Sequence, residues 1–215
     1  MPADEALSRR EFLGRAAKAG ACLAAAGAVA YAARDPEGPG PASAEPQAAA
    51  LPDFSIPGLG KKMCIGHGSD RARTLPLALQ ALGGIEAFVR KGDRVLLKVN
   101  AAFASPPMLS ATTHPDIVAG LTRLCLKAGA ASVVVTDNPI NDPASCFALT
   151  GIAQAARSAG AEVILPEERF FKPMTVKGAQ LIRNWPVLTG PLAGVTKLIG
   201  IAPVKDHHRS GASMV

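Results

Sequence analysis

Aromatic residues and cysteines are both scarce in this sequence. Phe, Trp and Tyr make up 4% of the 215 residues, although 48% of the residues are hydrophobic. We therefore expect a core built mainly from Ala, Val, Leu and Ile. The four cysteines, Cys22, Cys64, Cys125 and Cys146, include no Cys-x-x-Cys pair. This absence argues against a zinc ribbon or an iron–sulfur cluster module in this chain.

Clusters of basic residues are absent as well. The net charge is +6, but Lys and Arg are scattered along the body of the chain instead of being grouped on one element. Nucleic-acid-binding proteins group Lys and Arg on one face, often with stacking aromatics, so we expect no nucleic-acid partner. The sequence also lacks the G-x-G-x-x-G, P-loop and G-x-S-x-G patterns that are typical of dinucleotide binding, nucleotide binding and serine hydrolysis.

The N-terminal region has the three parts of an export signal. Ser8-Arg9-Arg10-Glu11-Phe12-Leu13-Gly14 resembles the twin-arginine pattern S-R-R-x-F-L-K, from which Gly14 departs. Residues 19–33 are free of charge, but they are fewer than the ~20 strongly apolar residues that a membrane span needs. They are typical of a signal h-region. Ala42-Ser43-Ala44 follows as an A-x-A cleavage site.

These features predict three segments. We expect residues 1–44 to be a twin-arginine signal peptide, residues 45–61 a linker and residues 62–215 an α/β domain. The mature protein is then periplasmic or otherwise exported, has the twin-arginine translocation machinery as a partner and has no stable membrane span. Because that pathway exports folded proteins that often carry a cofactor, the resemblance implies a bound metal or redox group.

One strand–helix–strand unit forms the centre of the predicted domain. The apolar runs 94–100 and 132–136 predict strands, and the apolar periodicity of residues 115–128 predicts a helix. Thr113 is the expected N-cap of this helix, with Asp116 completing a capping box. The two strands of such a βαβ unit are parallel.

Further predicted elements lie on both sides of this unit. The other predicted strands are residues 62–65, 162–165 and 196–201, and the other predicted helices are residues 75–82, residues 142–160 and one turn at residues 179–184. Alternation of strands and helices predicts an α/β fold with a mainly parallel sheet and flanking helices.

Polar residues follow both central strands at the point where each strand ends. Lys98 and Asn100 lie at the end of the first strand, and Asp137 and Asn138 follow the second. In open α/β sheets, ligands bind just beyond the carboxyl ends of the strands. We therefore predict catalytic roles for Lys98 and Asp137, and ligand contacts for Asn100 and Asn138. The alternative for Asn100 is that it only turns the chain.

Both charged residues also have a structural interpretation. Lys98 is either a point charge or base for a phosphate or carboxylate ligand, or an edge residue whose amine reaches solvent. Asp137 is either a metal-binding or base carboxylate, or the residue that forms the turn before Asn138-Pro139.

Two threonines precede the central helix. The hydroxyls of Thr112 and Thr113, together with the free N–H groups of the helix start, suit an anion, so we predict both as ligand-binding residues. The alternative is that they only cap the helix.

The densest cluster of titratable residues is Lys205-Asp206-His207-His208, beyond the last predicted strand. Histidine and aspartate are competent ligands for zinc, iron or nickel. Adjacent histidines in an extended segment point to opposite sides, so only one of them faces a shared site. We predict His207 and Asp206 as metal ligands and Lys205 as a catalytic residue that holds an anion. The sequence does not identify the cofactor beyond this candidate metal ion.

Together these residues resemble a family known only as domain of unknown function 362, from about Met63 to the end of the chain. The motifs that carry the resemblance are Lys91-Gly92-Asp93-Arg94-Val95-Leu96-Leu97-Lys98-Val99-Asn100, Thr113-His114-Pro115-Asp116, Gly129-Ala130, Asp137-Asn138-Pro139, Thr150-Gly151-Ile152 and Ile201-Ala202-Pro203-Val204-Lys205-Asp206-His207. Some members add ferredoxin-like cluster domains and some carry a twin-arginine signal. The resemblance therefore implies redox or metal chemistry without defining a reaction.

Members of that family continue past the Lys-x-His segment into a stretch that contains Lys-Asn-Gly. We therefore expect this chain, which stops at Val215, to be a truncated form with an incomplete domain and site. The expected function is that of an exported enzyme, dependent on a metal or redox cofactor, that acts on a small anionic ligand. The alternatives are a non-catalytic module that binds a small anion or a metal, and an inactive truncated paralogue.

Overall fold

The computed structural model describes residues 8–34, 52–58, 62–176, 183–207 and 211–213. The chain divides into two compact units, residues 1–46 and residues 47–215. The predicted cleavage site at residues 42–44 and most of the predicted linker lie outside the described residues.

The described part of the first unit is one helix, α1, Arg9–Ala33. Ser8 caps it: its hydroxyl accepts from the Glu11 amide, and the Glu11 carboxylate accepts from the Ser8 amide, which completes a capping box. Within its own unit, α1 buries no side chain. The helix is long and apolar enough to cross a membrane, a test that N-terminal signal sequences also pass.

The second unit alternates strands and helices, as the sequence predicts. Its helices are α2 Arg71–Gln80, α3 Pro115–Lys127, α4 Pro143–Leu149 and α5 Ile152–Ser158, and its strands are β1 Arg94–Lys98, β2 Ser132–Thr136, β3 Glu162–Val163, β4 Phe171–Met174, β5 Trp185–Leu188, β6 Lys197–Gly200, β7 Lys205–His207 and β8 Gly211–Ser213. Short 3-10 turns connect several of them.

Four parallel strands in the order β3-β2-β1-β6 form the main sheet, and this confirms the predicted α/β class. Strand β1 pairs with β2 in the register Arg94↔Ser132 to Lys98↔Thr136, and with β6 on its other side. Two antiparallel hairpins, β4–β5 and β7–β8, follow the parallel core in the chain. The helix α3 connects β1 to β2, which is the predicted βαβ unit.

The core is aliphatic, as the composition predicts. The buried cluster comprises Ile85, Val89, Val95, Leu97, Val99, Ala101, Val118, Leu121, Cys125, Val133, Val135, Phe147, Ile152, Ala156 and Ala161. Phe147 is its single aromatic member. Cys125 fills a place on the apolar face of α3, and burial raises the pKa of its thiol to about 11.

Three local predictions are wrong. Residues 62–65 form no strand, and Met63 and Ile65 are 84% and 83% exposed. Residues 142–160 form two helices instead of one. The break comes at Gly151, whose φ of 71° is left-handed and interrupts the helical path.

The third correction is the N-cap of α3, which is His114 and not Thr113. The His114 side chain accepts from the Asp116 amide at 3.3 Å. Thr113 lies one residue too early, and its hydroxyl bonds instead to neighbouring strand ends, as described below. The predicted turn at residues 179–184 lies largely outside the described residues.

Candidate functional site

The carboxyl ends of β1 and β2 bring a lysine and an aspartate together. Lys98 is the last residue of β1 and pairs in register with Thr136, so Asp137 follows on the neighbouring strand. The Lys98 Nζ lies 3.3 Å from the Asp137 Oδ1. The Asp137 side chain is 8% exposed and that of Lys98 is 39% exposed. The two residues for which the sequence predicts catalytic roles therefore lie together as an ion pair.

The second carboxylate oxygen of Asp137 anchors the loop that follows β1. Its Oδ2 accepts a hydrogen bond of 2.6 Å from the Ala101 amide. Both oxygens of this buried carboxylate thus have donors, one charged and one from the backbone. Such bonds offset the cost of burying the charge and fix the carboxylate in one orientation.

Lys205 reaches the same place from β7. Its Nζ donates to the Asn100 side-chain oxygen at 3.3 Å and to the backbone carbonyl of Ala111. The same ammonium lies 5.1 Å from the centre of the Phe103 ring. Burial lowers the pKa of Lys205, and the negative charge of Asp137 opposes this shift. Lys205 is therefore a half-buried amine held mainly by uncharged acceptors.

These side chains line one cavity of about 710 Å³. Its lining residues are Lys98, Asn100, Ala102, Phe103, Ala111, Asp137, Asn138, Ile140, Lys205, Asp206, His207 and Ser213. Seven of the nine residues that the sequence singles out for the site are among them. Lys98 and Lys205 contribute two positive charges, the buried Asp137 contributes one negative charge, and the exposed Asp206 contributes a second negative charge.

The other two predicted residues lie elsewhere. Thr112 and Thr113 are buried and line a separate cavity of about 230 Å³, together with Arg71 and His114. The Thr113 hydroxyl accepts from the Asn100 amide at 2.8 Å and donates to the Ile201 carbonyl at 2.6 Å. Thr113 therefore joins the ends of β1 and β6 and acts as a support for the site.

The first amides of α3 already have partners. The Asp116 amide donates to the His114 ring, and the Ile117 amide donates to the His114 carbonyl at 3.1 Å. Pro115, the first helical residue, has no N–H. The expectation that free N–H groups at this helix start hold an anion therefore has no support from the geometry.

The metal prediction finds little support in the geometry of the site. In the part of the chain that the structure describes, no three His, Cys, Asp or Glu side chains lie close enough together to hold a metal ion. Along β7, Lys205 and His207 lie on one side and are half-buried, whereas Asp206 lies on the other and is exposed. Asp206 and His207 thus remain predicted ligands, and the described residues alone do not make up a metal centre. His208 lies outside the described residues.

Sequence reasoning missed the uncharged part of the site. Phe103 and Ile140 line the cavity, and the Ile140 amide donates to the Ala102 carbonyl at 3.1 Å, which joins the loops after β1 and β2. The signal that was available is the position of Phe103, a rare aromatic residue in the loop directly after a strand end.

A known protein is similar to a short part of this chain. A segment of 56 residues is 41% identical to a thylakoid-associated protein of Synechocystis sp. and covers 26% of this chain. The chain spans only 17% of the length of that relative. No solved structure matches the chain.

The family comparison covers more of the chain. Residues 95–215 match a domain of unknown function, DUF362, and this range begins later than the resemblance from Met63 that the sequence suggests. The matched range includes Lys98, Asp137 and Lys205, the three charged residues that meet at the cavity. Because the match extends over more than half of the sequence, the chain belongs to the DUF362 family.

Proposed function

We propose that the protein is an exported enzyme that acts on a small anionic ligand bound between Lys98 and Lys205. The observation that carries this proposal is the meeting of two lysines from different strands in one cavity beside a single buried carboxylate. Ligands of open α/β sheets bind at this edge. Charge-assisted hydrogen bonds from amines to an anion are among the stronger polar contacts in proteins.

The three charged residues suggest a division of roles. Asp137 holds the Lys98 ammonium at 3.3 Å, so Lys98 is oriented as a fixed positive charge for the ligand. Lys205 has a lowered pKa and lies against a ring and two uncharged acceptors. A lysine whose pKa is lowered gives up its proton more readily than an ordinary lysine, which suits a general acid.

Isothermal titration of the full-length chain with sodium acetate and with inorganic phosphate tests the binding step. We expect Lys98→Ala and Lys205→Ala each to weaken binding of the preferred anion by about tenfold or more, because each removes a charge-assisted contact. Lys172→Ala is the control, since Lys172 is exposed on β4. Equal affinities in all four proteins would refute the proposed site.

A non-catalytic anion-binding module is the second candidate. The observation in its favour is that Asp137 and the Lys205 amine already have well-placed protein partners, which is typical of a rigid binding site. Turnover separates the two: an enzyme converts a bound organic anion in a reaction that Lys205→Ala slows, whereas a binding module returns it unchanged.

The export part of the proposal rests on the N-terminal unit. Arg9 and Arg10 open an apolar helix near the N-terminus, and the relative in Synechocystis sp. is described as thylakoid-associated. We expect the double change Arg9→Lys and Arg10→Lys to keep the protein in the cytoplasm of a host with a twin-arginine pathway, as measured by cell fractionation. Arg15→Lys, in the same helix, is the matched control. Unchanged export of the double variant would refute this route.

Metal content tests the remaining prediction. Elemental analysis of the full-length protein, beside His207→Ala and Asp206→Ala, measures whether a metal is bound in about one-to-one ratio. Loss of that metal in either variant would support these two residues as ligands. A folded protein without metal would remove the metal from the proposal and leave the anion site standing.

A further inference from the structure

The cavity between β1, β2 and β7 has two chemically different walls. The amines of Lys98 and Lys205 and the Asp137 carboxylate form the charged wall, and Phe103 and Ile140 form the apolar wall. The two walls adjoin, because the Lys205 ammonium lies 5.1 Å from the centre of the Phe103 ring. An inorganic anion uses only the charged wall. The apolar wall therefore indicates which uncharged part the ligand has, which the charges alone do not indicate.

The charge balance indicates how many negative charges the ligand brings. Lys98, Lys205 and the buried Asp137 carboxylate together carry one positive charge. Asp206 also lines the cavity, but it is exposed, so water screens its negative charge. A monoanion neutralises the one positive charge of the first three groups. A dianion would leave a negative charge uncompensated close to Asp137, which is 8% exposed, and an uncompensated charge in a poorly solvated place is costly.

The apolar wall is exposed in the absence of a ligand. Phe103 is 40% exposed even though the Lys205 ammonium lies over its ring, and Ile140 is 74% exposed. The hydrogen bond from the Ile140 amide to the Ala102 carbonyl joins the two loops that carry these side chains. Covering such surface is worth roughly 25 cal/mol per Å² of apolar area, so a ligand with an apolar group gains affinity here.

The size of the cavity agrees with an organic ligand. At about 710 Å³ it lies well inside the range of roughly 300–1,000 Å³ for small-molecule pockets. Such pockets are mostly apolar and contain a few polar groups that orient the ligand. The two walls of this cavity match that description.

We propose that the ligand is a monocarboxylate with an apolar substituent. Its carboxylate lies between Lys98 and Lys205, and its apolar part covers Phe103 and Ile140. This inference rests on the proposed function, because it uses the same two lysines, and it narrows the ligand from any small anion to one chemical class.

The test compares three probes by isothermal titration of the full-length chain at pH 7: sodium acetate, sodium phenylacetate and inorganic phosphate. We expect phenylacetate to bind about tenfold or more tightly than acetate, and phosphate to bind no more tightly than acetate. Phe103→Ala reduces the ratio of phenylacetate to acetate affinity to within about threefold. Phe103→Leu retains apolar area without the ring and keeps most of the ratio.

The outcomes separate this inference from the proposal on which it rests. If phosphate binds most tightly, or if Phe103→Ala leaves the ratio unchanged, the monocarboxylate class is wrong although the lysine site stands. If no probe binds, or if Lys205→Ala binds all three as well as the wild type does, the anion site itself is wrong. Circular dichroism of each variant verifies that it is folded.

Discussion

The two ends of β1 carry the same types of residue and use them differently. At the amino end, Asp93 and Arg94 meet Thr196 from the start of β6. At the carboxyl end, Lys98 meets Asp137 from the end of β2. Each end therefore combines a carboxylate with a basic residue, yet only the carboxyl end places them at the cavity of the candidate site.

At the amino end, hydrogen bonds join the start of β1 to the segment that leads into β6. The Thr196 hydroxyl donates to Asp93 at 2.7 Å and accepts from the Arg94 amide at 3.0 Å. The Arg94 Nε donates to the Gly194 carbonyl at 2.5 Å. These bonds satisfy groups of the connection into β6, and their atoms are exposed. These side chains thus help to hold β1 and β6 in their observed register.

The carboxyl end adds contributions from distant segments. Lys205 enters from β7, and the loops after β1 and β2 supply Phe103 and Ile140. Because parallel strands all end at one edge, residues far apart in sequence meet there, with room between the loops. What a carboxylate and a nearby basic residue do therefore depends on whether their surroundings leave space for a ligand.

The largest expected difference between the ends concerns the carboxylates. We expect Asp137→Ala to lower the free energy of unfolding by about 2–3 kcal/mol, because it leaves the buried Ala101 amide and the Lys98 ammonium without their partner. Asp93→Ala is expected to cost about 0.5–1.5 kcal/mol, since its partners reach water. Urea unfolding of the full-length proteins measures both. A larger loss for Asp93→Ala would reverse the comparison.

The pH dependence of anion binding should follow the protonation of the Lys205 amine. The charged amine binds the anion, so affinity is lost as pH rises through the pKa of Lys205, which burial sets below the ordinary lysine value. We expect about a tenfold loss of acetate affinity across that step, as measured by titration at successive pH values. Lys205→Ala should flatten the profile and Lys172→Ala should not. A profile that persists without Lys205 would assign the titration to another group.

The threonines at the two ends provide a smaller contrast. Thr113→Val removes the partner of the Asn100 amide and of the Ile201 carbonyl inside the domain, so we expect a loss of about 1–2 kcal/mol in urea unfolding. Thr196→Val should cost less, because water replaces its exposed contacts. Thr113→Ser keeps the hydroxyl and should retain most of the stability. Equal losses at the two threonines would show that burial does not distinguish them.

The smallest expected effect is the acid response of the amino end. Partial burial acts to raise the pKa of Asp93, but hydrogen bonds from the Arg90 amide and the Thr196 hydroxyl, with nearby Lys197, lower it overall from 3.8. The stability that these bonds provide is fully present above pH 3.8 and is lost as the pH falls through the lower pKa of the folded state. Thermal unfolding of the wild type and Asp93→Asn at successive pH values should converge in that acidic range. A constant difference would exclude this titration.

Local patterns were enough for most of the central unit. The apolar run at residues 132–136 predicted β2 with its observed bounds, and the apolar periodicity of residues 115–128 predicted α3 within one residue. Both signals arise from neighbouring residues, so no knowledge of the fold was needed. Local patterns failed where tertiary contacts decide: residues 62–65 have the pattern of a strand, but Met63 and Ile65 are exposed and pair with none of the strands in the described part of the chain.

The rest of the site depended on where the chain folds back. Lys98 and Asp137 were predictable as neighbours, because both follow strands of one βαβ unit and parallel strands end at one edge. The composition also predicted the aliphatic core, and the sequence placed Lys205 after the last strand of the main sheet. Only the tertiary structure decided that Thr113 joins strand ends and that Lys205 lies over Phe103 beside Asn100. The physical reason is that these contacts join segments of the chain that are far apart in sequence, whose meeting depends on the loops and on the β7–β8 hairpin.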